Sequence, residues 1–264
     1  MNNIALGRYL PLNSIVHKMD PRYKLVAMLI LMVAIFFPSG YIGYAIIGAF
    51  VLFSLLLAKL NLKMILRAMK PMLFMLVFLT FVNTLVLRTG YVLIDLFGFK
   101  IYSDAIFQTL YITIRLLLMI MVTTILTATT KPLDLTLAIE DLFAPLKRFG
   151  FPAHEIAMMI SIALRFIPTL IDETNRIMKA QASRGVDLKE GTFKEKIMAI
   201  LSLIVPLFVS SFQRAEELAD AMEARGYIPS ATRTRYKQLK HTLKDWIMML
   251  CVLTVLGSVI WISL

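Results

Sequence analysis

The 264-residue chain carries one cysteine, Cys251, and three scattered histidines, His17, His154 and His241. A lone thiol excludes an internal disulfide and a cysteine-based zinc cluster. No G-x-x-x-x-G-K-[ST] segment is present, so the chain lacks the phosphate-cradling loop that ATP binding of its own would need. Nucleophiles, bases and metal ligands do not cluster. His154-Glu155, beside Pro152, reads as the polar start of a helix before it reads as a catalytic pair. The expectation is a chain with no catalytic residue, no metal and no cofactor. Charge is also scarce, at 17% of residues, and acids are outnumbered 17 to 28 by Lys and Arg. The first 24 residues, MNNIALGRYLPLNSIVHKMDPRYK, lack the long apolar core of a secretory signal. Insertion is therefore expected to be driven by the first true span.

What the chain has in quantity is hydrocarbon. Hydrophobic residues make up 59% of it, and the mean hydropathy is +0.76. That is the composition of an all-α polytopic membrane protein. Asp20-Pro21-Arg22 supplies a helix start, because Asp accepts from free backbone N–H groups and Pro is tolerated at the first helical position. The run KLVAMLILMVAIFF continues it to Phe37. Pro38-Ser39-Gly40 makes a turn, and a second apolar run covers 41–58. Further runs cover 71–87, about 105–128 and 246–264, giving about five transmembrane helices.

Lys and Arg in the connections set the orientation, since they concentrate in cytoplasmic loops near the membrane. The N-terminal tail holds Arg8, Lys18, Arg22 and Lys24, and the second connection holds Lys59, Lys63, Arg67 and Lys70. Both are expected in the cytoplasm. The Pro38–Gly40 turn has no cation and the 88–104 loop has only Arg88 and Lys100, so both face outward. The segment 131–240 carries sixteen Lys and Arg and is expected inside, which sends the last span and the C-terminus outside. Within it, 156–171 and 197–212 are apolar enough to cross. Crossing by the first would put Arg176, Lys179, Arg184, Lys189, Lys194 and Lys196 outside, against the charge rule. Arg165 and Pro168 interrupt one run and Pro206 the other. They read instead as long helices that leave the membrane interface and run through the cytoplasm, over 151–184 and 193–225, each about 50 Å long at 1.5 Å per residue. A shorter helix, 132–149, precedes them. The expected division is a membrane domain over 1–128, a cytoplasmic domain over 129–240 and a final span over 241–264.

The two long helices end alike. KAQASRG closes the first at Gly185, and 41 residues later DAMEARG closes the second at Gly226. Gly takes the left-handed conformation that ends a helix, and Arg in the last turn suits the macrodipole. Any one such ending is what a well-capped helix carries. The pair goes further, because Ser183-Arg184-Gly185 and Ala224-Arg225-Gly226 align in register, with a small residue beside each guanidinium. A planar cation at a rigid tip can grip a carboxylate in a partner's groove with two hydrogen bonds, and two equivalent tips suggest two equivalent grooves.

The start MDPRYKL, the spans, the basic cytoplasmic region and the two Arg-Gly helix ends together resemble the transmembrane T component of energy-coupling factor (ECF) importers of vitamins and micronutrients. The resemblance covers nearly the whole chain. It implies that the long helices are coupling helices crossing one another on the cytoplasmic side. It implies further that Arg184 and Arg225 each insert into one of two related ATP-binding-cassette ATPases, which hold the ATP, and that a separate substrate-binding membrane S component docks on this subunit in the bacterial plasma membrane. The family pattern is Ala-Arg-Gly; the chain matches it at 224–226 and carries Ser at 183. The other reading of the same features is a permease subunit of a conventional ABC importer. Paired tips on one chain argue against it, since such permeases usually offer one docking loop.

Arg115 lies deep in the fourth apolar run, with a functional role or a packing role against a neighbouring helix both open. Arg233, Arg235, Lys237 and Lys240 form a juxtamembrane basic run that sets topology or touches anionic lipid; no nucleic-acid partner is expected. The 17 methionines suit adaptable apolar surfaces in a lipid bilayer.

Overall fold

The computed structural model describes residues 9–61, 70–86, 89–96, 99–149, 152–186, 192–228 and 239–263. Arg8, Lys63, Arg67, Arg88, Lys189, Arg233, Arg235 and Lys237, on which part of the charge reading leans, lie outside the described residues. The fold is that of an all-α polytopic membrane protein with one small addition. A short α1 (Ile15–Lys18) precedes α2 (Pro21–Phe36), and α3 (Gly40–Ala58) follows a turn opened by Pro38. Gly40 sits at φ +63°, where an L side chain is strained, and Lys59 closes α3 in the same left-handed region at φ 57°. A 3-10 turn (Lys70–Met72) leads into α4 (Leu73–Val86). The 88–104 loop carries an antiparallel hairpin of β1 (Val92–Leu96) and β2 (Phe99–Tyr102) before α5 (Ser103–Thr129). Next come α6 (Pro132–Phe143), a 3-10 turn (Ala144–Phe149), α7 (Ala153–Ser183), α8 (Phe193–Ala224) and α9 (Leu243–Ser263).

The chain divides into two compact units, residues 1–138 with 239–264, and residues 139–238. In the first, α2, α3, α5 and α9 surround one core. Leu31, Ala34 and Ile35 meet Ile47, Val51 and Leu55 from α3, with Leu118 and Val122 from α5 and Val252 and Val259 from α9. The spacing of three and four residues puts each set on one helix face. The opposite faces are no less apolar: Leu56 on α3 is 69% exposed and Trp261 on α9 82%. In a bilayer those surfaces meet acyl chains, so core and exterior share one chemistry.

The second unit contains the pair α7 and α8, of 31 and 32 residues. Among the described residues, five helices are long and apolar enough to cross a membrane: α3, α5, α7, α8 and α9. The number matches the expectation but the membership differs. α2 has 16 residues and α4 has 14, because the Pro38 turn and the 3-10 turn at Lys70 trim them. α7 and α8 qualify because each has one apolar half, whatever its polar half does.

Candidate functional site

The two tips are built by the same backbone geometry. At the end of α7, Arg184 lies at φ −90°, ψ 6° and Gly185 at φ +81°. The Gly185 N–H donates to Ala182 O and the Val186 N–H to Gln181 O, both at 3.0 Å. At the end of α8, Arg225 lies at φ −89°, ψ 9° and Gly226 at φ +69°. The Gly226 N–H donates to Glu223 O at 2.8 Å and the Tyr227 N–H to Met222 O at 2.9 Å. This is the Schellman closure twice over, with the left-handed residue supplied by Gly in both. Ser183, Arg184, Gly185, Ala224, Arg225 and Gly226 are all exposed.

Contacts along the pair run in opposite directions of numbering. Gln181 Nε2 donates to Ser202 O at 3.2 Å, Arg214 Nη2 to Glu173 Oε2 at 3.5 Å, and Tyr227 OH to Met158 Sδ at 3.2 Å. The helices are therefore antiparallel, and the tips stand at opposite ends of the pair. Between the level of Met158, which the second tip adjoins, and Arg184, α7 rises roughly 39 Å at 1.5 Å per residue. The Gln181 bond has a local cause. Pro206 has no N–H, so the Ser202 carbonyl four residues earlier loses its helical donor. Gln181 supplies a replacement from the last turn of the other helix. The start of α8 is fixed separately by a capping box, with Thr192 N–H donating to Glu195 Oε2 at 2.7 Å and the Glu195 N–H returning to Thr192 Oγ1.

Asp20, Pro21 and Arg22 stand in the other unit, at the start of α2. Asp20 Oδ1 accepts from Arg22 N–H at 2.9 Å, which caps the helix, and Pro21 occupies its first position. The Arg22 guanidinium returns to the same carboxylate at 2.6 Å and also donates to Leu239 O. Asp245 joins this cluster from 225 positions away, on the first turn of α9. Its carboxylate has no exposed surface. Oδ1 accepts from Asp20 N–H at 2.9 Å, and Oδ2 accepts from Thr242 N–H at 2.8 Å and Thr242 OH at 2.6 Å. One carboxylate thus satisfies free N–H groups at the starts of two helices. Lys24, also buried, donates to Thr129 O and Thr130 Oγ1 at 3.2 Å, where the carbonyls at the end of α5 lack helical donors. The sequence reading missed Asp245, although Thr242-x-x-Asp245 ahead of an apolar run is a capping-box signature.

Arg115 takes the packed arrangement. Its Nε donates to Tyr44 OH at 2.7 Å, and its guanidinium lies over the Phe36 and Tyr111 rings at 5.5 and 5.2 Å. Tyr44 stacks on Tyr111 at 4.5 Å, and its hydroxyl donates a hydrogen bond to Ile35 O at 3.3 Å. The aromatic faces compensate a cation that apolar sequence does not. His154 Nδ1 stands 2.8 Å from Glu140 Oε1, so its partner is α6 rather than the adjacent Glu155. Among the described residues no group of three His, Cys, Asp or Glu side chains is placed to hold a metal ion.

Residues 12–236 match the family model described as cobalt transport protein, CbiQ. The chain is 44% identical over 254 residues to the energy-coupling factor transporter transmembrane protein EcfT of Staphylococcus aureus, covering 96% of this chain and 95% of that one. It is 43% identical over 264 residues to the EcfT of Macrococcus caseolyticus, covering 100% and 99%. With the EcfT of Bacillus subtilis the identity is 41% over 245 residues, covering 93% and 92%.

Proposed function

The chain belongs to the EcfT family of energy-coupling factor transporter transmembrane proteins, within the CbiQ cobalt transport protein family, and on that premise we propose that its paired tips dock two ABC-type ATPases. It is a multi-pass membrane component of a transporter and not itself an enzyme. ATP is bound and hydrolysed by the partners, and a membrane S component that binds the vitamin or micronutrient docks on this subunit. The N-terminus and the coupling helices face the cytoplasm and the C-terminus faces outward.

The observation that carries this reading is the equivalence of the tips together with their placement. The same closure presents Arg184 and Arg225 with near-identical backbone angles at the two ends of one antiparallel pair. A twofold-related pair of grooves, separated by tens of ångströms, needs that arrangement. Each guanidinium makes a bidentate ion pair with a carboxylate in its groove. When ATP draws the ATPases together, the ends of the pair are carried with them, and a stiff helix pair passes the displacement to whatever rests on its apolar halves. Met198, Leu201, Val205 and Phe212 on α8 are exposed apolar side chains available for that contact.

The test replaces Arg184 and Arg225 by Glu, singly and together, and measures copurification of the ATPases and ATP-dependent vitamin uptake. Each single variant loses much of both, since removing one partner of a desolvated charge pair costs about 2–5 kcal/mol. The two losses add, because sites so far apart share no neighbours. Assembly and transport retained in the double variant refute docking by the tips. Uptake that persists without any membrane S component points instead to a permease.

A further inference from the structure

The membrane unit encloses a slot that the energy-coupling role leaves unused. It has a volume of about 320 Å³ and is walled by α1, α2, α3, α5 and α9. Met28, Leu31, Phe50, Val122, Met248 and Cys251 form its deeper walls. Its polar groups are nearly all at one end. Lys24 stands in the first turn of α2, Lys244 in the first turn of α9, and Thr129 at the last residue of α5. Ser54, the one hydroxyl further in, is already spent on Phe50 O at 2.9 Å. Lys24 is spent on Thr129 and Thr130. Lys244 is exposed at the mouth and has no carboxylate partner among the described residues.

The geometry points to a binding site for one acyl chain of an anionic phospholipid, with its phosphate on Lys244. Three features select this occupant. From Lys24 to Leu31 on α2, and from Lys244 to Val252 on α9, the slot runs roughly 11–12 Å parallel to the helices. That is most of one leaflet's share of a hydrocarbon core about 30 Å thick. The walls offer carbon and sulfur at depth, which suits a methylene chain and leaves no hydrogen bond for a peptide. The free cation sits at the end where the helices begin, which on the orientation proposed above is the cytoplasmic side, where the leaflet is anionic. The site does not depend on the Arg tips, which belong to the other unit.

The chain supplies its own reporter. Its two tryptophans are Trp246 and Trp261, and Trp246, 61% exposed, lies between Lys244 and Ile247 of the slot. In a Trp261→Phe background, the full chain is reconstituted in phosphatidylcholine bilayers containing a low fraction of phosphatidylglycerol with brominated acyl chains, and Trp246 fluorescence is read. Brominated phosphatidylglycerol is expected to quench with roughly five-fold greater apparent affinity than brominated phosphatidylcholine, the factor one lysine near an anionic surface supplies. Unlabelled phosphatidylglycerol is expected to reverse it. Lys244→Glu removes the preference, and Cys251→Phe, which fills the slot, lowers quenching by both lipids while the protein keeps its helical signal. Equal quenching by the two lipids, or a preference that survives Lys244→Glu, overturns the proposal.

Discussion

Replacing Asp245 by Ala tests whether a single carboxylate links two helix starts. The wild-type carboxylate, fully buried, accepts from the backbone N–H of Asp20 at 2.9 Å and of Thr242 at 2.8 Å. Ala accepts from neither. The buried Asp20 N–H left without a partner costs about 1–3 kcal/mol, and the exposed Thr242 N–H, which loses a capping acceptor but reaches water, about 0.5–2 kcal/mol, so the two together cost about 2–5 kcal/mol. The Thr242 hydroxyl adds little, because it rotates to another acceptor. At about 2–4 °C per kcal/mol for chains of this order of size, the thermal midpoint falls by about 5–20 °C. Asp245→Asn keeps one acceptor oxygen and is expected to fall between Ala and wild type. The measurement is thermal unfolding of the purified chain in a mild detergent, followed by far-UV circular dichroism. Lys244→Ala, one position away and exposed, is the control and should stay within about 0.5 kcal/mol. If Asp245→Ala is indistinguishable from that control, the two N–H groups have other acceptors and the reasoning is wrong.

Gly185→Ala and Gly226→Ala should each lower stability by about 1–2 kcal/mol through the left-handed backbone alone, since an added Cβ at either meets nothing within 4 Å. Gly257→Ala, equally open but inside a helix, should be neutral or stabilising, and the three thermal midpoints compared decide it. Gln181→Ala should cost about 1 kcal/mol by leaving the Ser202 carbonyl without its donor. On a Pro206→Ala background that cost should shrink, because the restored N–H at 206 reaches the same carbonyl; a double-mutant cycle with no coupling contradicts the link. His17 accepts from Ser14 and donates to Leu10 O, and burial holds its pKa below the usual imidazole value. The unfolded chain then binds more protons, so this contribution is complete above about pH 6.5 and is lost as pH falls through the lower folded value. Thermal midpoints taken between pH 7 and pH 5 should fall in the wild type and fall less in His17→Gln.

Much of the site is written in short stretches of chain. The Asp20-Pro21 cap and the Gly185 and Gly226 closures depend on residues within one turn of each other, so composition and spacing reveal them. The hairpin within the 88–104 loop was not visible that way, because a polar-flanked short segment between two apolar runs reads equally well as irregular loop. The membership of the long apolar helices was also ambiguous, since an apolar window has the same length whether lipid or a partner covers it.

By itself the sequence determined that this is a helical membrane protein with a basic interior segment and two matching cationic helix ends, because periodicity, hydrophobic length and capping are local properties. Only the tertiary structure decided that the two ends stand at opposite poles of an antiparallel pair, that Gln181 repairs the gap left by Pro206, and that Asp245 joins α9 to α2. Those bonds link residues 21 to 225 positions apart. Hydrogen-bond partners at such separations are chosen by how helices pack, and packing between surfaces of uniform apolar character leaves no periodic mark in the chain.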